Sequence, residues 1–124
     1  MAANKITFLL ILTIIISCSP NPVKKMTEKK FIDLDNTAVF TTKFVTSDKK
    51  EITTVTHEKD DGAWQFFSSD HFTNFEDVAK VVGLGQVIKM DSTILELADL
   101  PLGYKAHRKF RGDKWIIEKI QSQQ

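Results

Sequence analysis

Two different spacings of apolar residues divide this chain. From Thr37 to Thr46 the residues Val39, Phe40, Phe44 and Val45 stand among threonines, a β-branched and aromatic composition that suits a strand. Ser47-Asp48-Lys49-Lys50 reads as a turn, and Glu51 to Glu58 as a second strand carrying Ile52, Thr53, Thr54, Val55 and Thr56. Asp60-Asp61-Gly62 is the strongest turn signal, because Asp-Gly tolerates the positive φ angles of a tight hairpin. Ala63-Trp64-Gln65-Phe66-Phe67-Ser68 makes the third strand, and the run of strands predicts a three-stranded antiparallel meander.

The period then lengthens. Thr73-Asn74 can cap a short helix with Glu76 and Asp77 in its first turn. Leu84, Val87 and Ile88 recur at helical spacing, with Gly83 and Gly85 as interruptions. Asp91 or Ser92 can start another helix, carrying Ile94, Leu95, Leu97 and Ala98, which must end before Pro101. Val78 to Val82 fits a strand as well as a helix. Beyond Pro101 the alternation returns. Tyr104, Ala106, Arg108 and Phe110 fall on the expected inner face, and Lys105, His107 and Lys109 on the wet one. Gly112-Asp113 marks a hairpin, and Trp115 to Ile120 the closing strand. The fold class expected is α+β: an antiparallel sheet of about five strands, comprising the meander, a helical insert and a C-terminal hairpin.

The first residues follow neither period. Lys5 precedes an apolar run from Ile6 to Ile16, with only Thr7 and Thr13 inside it as polar residues, shorter than the roughly 20 residues of a membrane span and laid out as a secretory signal. Its end, Ile15-Ile16-Ser17-Cys18, resembles a bacterial lipobox: an aliphatic residue, a free position, a small residue, then cysteine. The resemblance implies a diacylglyceryl group on Cys18 and cleavage before it, which would place the protein in the bacterial cell envelope, held to a membrane by lipid. Cys18 is the only cysteine, so no disulfide framework and no thiolate metal cluster is available. The expected organisation is a signal peptide over 1–17, a lipidated cysteine and tether over 18–35, and a domain over 36–124. Ser19-Pro20-Asn21-Pro22 and the lysines after it suit a tether, on which Phe31 and Ile32 are the residues able to dock on the domain. Removing Lys5 brings the 17 basic residues level with the 16 acidic ones, a balance that argues against nucleic acid as a partner.

Candidate chemistry is sparse. His57, Asp60, Asp61, Asp70 and His71 are residue types that ligate metals or move protons, but no ligand spacing joins them. Gly83-Leu84-Gly85 lacks the further glycine and the lysine of a phosphate loop, so no cofactor is expected. Arg111-Gly112-Asp113 matches an adhesion tripeptide and is equally a plain hairpin turn. Arg108, on the apolar side of its strand, must be paired, either to a structural aspartate or as a clamp for an anionic ligand. Phe66 and Phe67 point to opposite sheet faces and one helical layer covers only one, so Asp60, Asp61, Trp64, Phe66 and Phe67 form the candidate partner surface.

Three segments resemble the immunity protein 33-like family, also called domain of unknown function 2185: Asp60-Asp61-Gly62-Ala63-Trp64-Gln65-Phe66-Phe67, the stretch from Val82 to Asp91, and Leu100-Pro101-Leu102-Gly103-Tyr104-Lys105-Ala106-His107-Arg108. The likeness spans about Thr41 to Ile117, with Ala63 standing between the glycine and the tryptophan that are adjacent in the family. It implies a protein-binding module, of a family whose members are predicted to neutralise toxins and many of which have no assigned role. The expected function is thus a lipid-anchored, non-enzymatic binding protein. The alternatives are a small envelope hydrolase or metal-dependent enzyme using His57, Asp60, Asp61 and His71, and a structural lipoprotein without a discrete ligand.

Overall fold

The computed structural model describes residues 29–122. The signal peptide, Cys18 and most of the expected tether therefore lie outside the described residues. The architecture is α+β: one open, mixed six-stranded sheet with a few short helices. The strands are β1 (Ala38–Thr42), β2 (Thr54–His57), β3 (Trp64–Phe67), β4 (Ala79–Gly83), β5 (Tyr104–His107) and β6 (Ile116–Lys119), and their order across the sheet is β4-β1-β3-β2-β5-β6.

The hairpin predicted at Asp60-Asp61-Gly62 is present. β2 and β3 pair antiparallel from Thr54↔Phe67 to His57↔Trp64, and Gly62 takes a φ of 71° at the turn. The meander is not. β1 lies beside β3, parallel to it, and does not pair with β2. The reason lies at the end of β1. Lys43–Thr46, expected to extend the strand, instead forms a single helical turn, α1, which puts Val45 into the core. A meander needs a tight connection between its first two strands. Here the helical turn and the loop after it carry the chain one strand's width past β1, and β3 returns into the gap. The side chain of Thr41 fastens the seam, its buried hydroxyl donating to the Phe66 carbonyl at 2.6 Å.

The region left open between helix and strand resolves into both. α2 is one turn, Phe75–Val78, after Asn74, and Ala79–Gly83 follows as the edge strand β4, antiparallel to β1. α3 (Leu84–Met90) runs through Gly85, and a 3-10 turn follows over Ser92–Leu97, its first turn capped by Asp91, which accepts from the Thr93 amide at 2.9 Å. These two helical pieces cover one sheet face. Leu84, Val87, Ile94, Leu97 and Leu100 meet Val39, Val55, Trp64, Phe66 and Ala106 in a single apolar cluster.

The segment just before β1 belongs to this body. Phe31 packs edge-on against Trp64 with ring centroids 4.9 Å apart, and Asp33 accepts from the Trp64 indole N–H at 3.0 Å. The Asp35 carbonyl accepts from the Gly85 amide at 2.8 Å, and a Cβ on Gly85 would stand 3.0 Å from that of Asp35, so glycine lets the two backbones meet. Ile32, the other residue expected to dock, is almost fully exposed.

Candidate functional site

On the inner side of the sheet, Arg108 and Asp91 are tied to the fold. Arg108 follows β5, on the same side as Ala106. Its Nη2 lies 2.8 Å from Asp91 Oδ2, its Nη1 donates to the Thr93 hydroxyl at 2.8 Å, and Nε and Nη2 both donate to the Ile52 carbonyl. Thr93 in turn donates to Asp91 Oδ1, and the Trp115 ring stacks on the guanidinium, 4.0 Å from its carbon. Four of the five guanidinium N–H donors are engaged within the protein, and with side-chain exposures of 0% for Arg108 and 5% for Asp91 the group is closed to a ligand carboxylate from solvent. Of the two roles the sequence allows Arg108, the geometry supports the structural one. Phe110, expected to share its face, is exposed, because β5 ends at His107 and the chain turns away.

Arg111 joins the network from the surface, with Nε 3.3 Å from Asp91 Oδ1 and Nη2 donating to the Met90 carbonyl. That explains the arginine of the Arg-Gly-Asp tripeptide locally. Gly112 has a φ of 93° at the turn, and Asp113 receives the Lys109 and Lys114 amides. An open cleft of about 310 Å³ beside Arg111 is floored by Val45, Ile52 and Met90.

The second hairpin divides the five residues grouped by the sequence. Asp60 and Asp61 are exposed at the tip, where Asp61 Oδ1 accepts from the Ala63 amide. Trp64 and Phe66 are core residues, 2% and 0% exposed, and so are withdrawn from any surface. Strand alternation puts aromatic area on both faces, and the path of the helices decides which of them is buried. Phe67 points to the other face, at the opposite end of β3 from the acidic tip. There it meets Phe75 at 5.4 Å and Phe72 at 6.1 Å, and Phe75 reaches Phe40 at 6.3 Å. Phe72 and Val81 are 38% and 61% exposed. The strand period alone would have found Phe40, since it follows inward-facing Val39. Phe72 and Phe75 reach this face only through the loop and turn before β4, which carry no such signal.

The residues of the enzymatic alternative are scattered. His57 stacks on Trp64, ring centroids 3.8 Å apart, and its Nδ1 lies 2.7 Å from the Leu100 carbonyl. Asp70 accepts from Ser68, and His71 is exposed on the loop. Among the described residues no group of three or more His, Cys, Asp or Glu side chains could hold a metal ion. A second open cleft, about 440 Å³, includes Asp60 with Glu58, Leu102, Tyr104 and Lys119, but His57 is not in its lining. No protein-family model matches the chain, and neither the curated proteins nor the solved structures include a match.

Proposed function

We propose that this protein is a lipid-anchored, non-enzymatic binding protein of the bacterial cell envelope, and that it docks a protein partner on the outer face of its sheet. The observation that carries the reading is the aromatic group Phe40, Phe67, Phe72 and Phe75 with Val81, on the face opposite α3 and the 3-10 turn. Aromatic side chains that stay partly wet in the free protein are the usual anchors of an interface, since they bring large area at small entropic cost. Asp60 and Asp61, beyond the other end of β3, add charge that steers a basic partner rather than contacts that hold it. Toxin neutralisation is the narrower form of this reading and takes its support from the resemblance of three segments to the immunity family.

Two measurements test it. Cys18→Ala should shift the protein from the membrane to the soluble fraction or leave the precursor uncut. Identical fractionation with no acyl mass on the wild type would remove the anchor. Phe67→Ala with Phe72→Ala should weaken capture of a partner from envelope extract, or of a toxin encoded beside the protein, by roughly 30-fold, as for an interface anchor worth on the order of 2 kcal/mol. Equal recovery of the same partners by wild type and variant would show that this face is not the site.

A further inference from the structure

Among the described residues the sheet ends at β6 with no covering element, and the side chains of β6 are exposed at every position, Ile116 and Ile117 by more than half. The Ile120 amide donates to the Gly103 carbonyl at 2.8 Å while Lys119 stands opposite Tyr104. In an antiparallel ladder that pattern turns the backbone groups of Ile116 and Glu118 toward β5 and those of Trp115, Ile117 and Lys119 toward the open edge. An apolar edge with free backbone groups pairs readily with another strand unless something opposes it.

We propose that the partner on this edge is a second copy of the chain, paired antiparallel about a two-fold axis through Ile116. A two-fold pairing requires outward-facing backbone to meet outward-facing backbone, so the axis must pass through a residue and not between residues. Charge then selects which one. An axis at Ile116 sets Lys114 opposite Glu118 of the second copy and Trp115 opposite its Ile117, each contact made twice by symmetry. An axis at Ile117 sets Trp115 against Lys119 and Ile116 against Glu118, with no opposite charges facing. An axis at Glu118 brings two carboxylates together. Lys114, Ile116 and Glu118 then share the outer face, on which Glu118 already lies 3.6 Å from both Lys105 and His107. The charges that could guard this edge against strangers are the ones that fit a copy of itself. The result is one continuous sheet in which the two outer faces lie on the same side.

The inference does not depend on the aromatic docking face, and its test is separate. In cells making the full chain, Ile116→Cys should give a disulfide-linked dimer under mild oxidation, because the facing α-carbons at a non-hydrogen-bonded antiparallel site lie about 4.5 Å apart, within disulfide reach. Wild type, with Cys18, and Phe110→Cys, exposed but off the edge, serve as controls. Adding Lys114→Glu or Glu118→Lys should lower the yield about tenfold, since each sets like charges opposite each other twice. Adding both should restore it, because the swap keeps the pairs complementary. Dimer no more abundant with Ile116→Cys than with Phe110→Cys, or single reversals without effect, would overturn the proposal. So would a monomeric mass for the purified wild-type chain in detergent at tens of micromolar. Partner capture through Phe67 would survive each of those results.

Discussion

Arg108→Ala is expected to lower the unfolding free energy by about 3–5 kcal/mol, read as a leftward shift of the denaturation midpoint with little change in slope. The figure follows from what the substitution strands. Asp91 is 5% exposed in its side chain and would be left with only Thr93 and the half-exposed Arg111 beside it. The Ile52 carbonyl would lose two donors at once, and Trp115 would lose the cation over its ring. A small domain has about 5–15 kcal/mol in all, so the variant should sit near the edge of folding at 37 °C. Asp91→Asn should also be destabilising, because an amide has one oxygen where the carboxylate uses two: keeping the Thr93 cap turns the amide nitrogen, a donor, toward the Arg108 guanidinium. A variant Arg108→Ala as stable as wild type, but unable to bind a partner, would return this arginine to the ligand-clamp role.

The strand period put Arg108 among apolar neighbours, and physics then demanded an acidic partner, but the choice of Asp91 required the chain path. Asp91 was legible only as a helix start, and that capping role and the ion pair turn out to use the two oxygens of one carboxylate. The Asp-Gly hairpin, the C-terminal hairpin and the wet face of β5 were local matters, and local pattern sufficed. Strand order was not local. Whether β2 or β3 lies beside β1 depends on a single helical turn at Lys43–Thr46, where β-branched residues favour extension and burial of Val45 decides against it. The aromatic surface failed in the same way. Alternation guaranteed that Phe66 and Phe67 part company, while the position of α3 and the 3-10 turn decided that Phe66 is core and Phe67 is not.

Deletion of residues 1–35 is expected to destabilise the domain by on the order of 3 kcal/mol relative to a chain beginning at Lys29, although the sequence alone places the domain's start at Asn36. Half-burial of Phe31 contributes about 1 kcal/mol, and its edge-on contact with Trp64 about another. The indole N–H of Trp64, on a residue only 2% exposed, loses the Asp33 carboxylate, which costs about 1–3 kcal/mol, less whatever water recovers once Phe31 is gone. The Gly85 amide loses the Asp35 carbonyl at the first turn of α3. For a domain of this size each kcal/mol moves the midpoint by about 4–8 °C, so the shorter chain should melt on the order of 10–20 °C lower, still in one transition because the main cluster is intact. Phe31→Ala and Asp33→Ala divide the effect, the first removing the ring and the second only the acceptor. Equal melting temperatures for the chains starting at residues 29 and 36 would mean that the contacts of Phe31 and Asp33 with Trp64 carry no net free energy, and the domain would then begin at Asn36 as the sequence pattern places it.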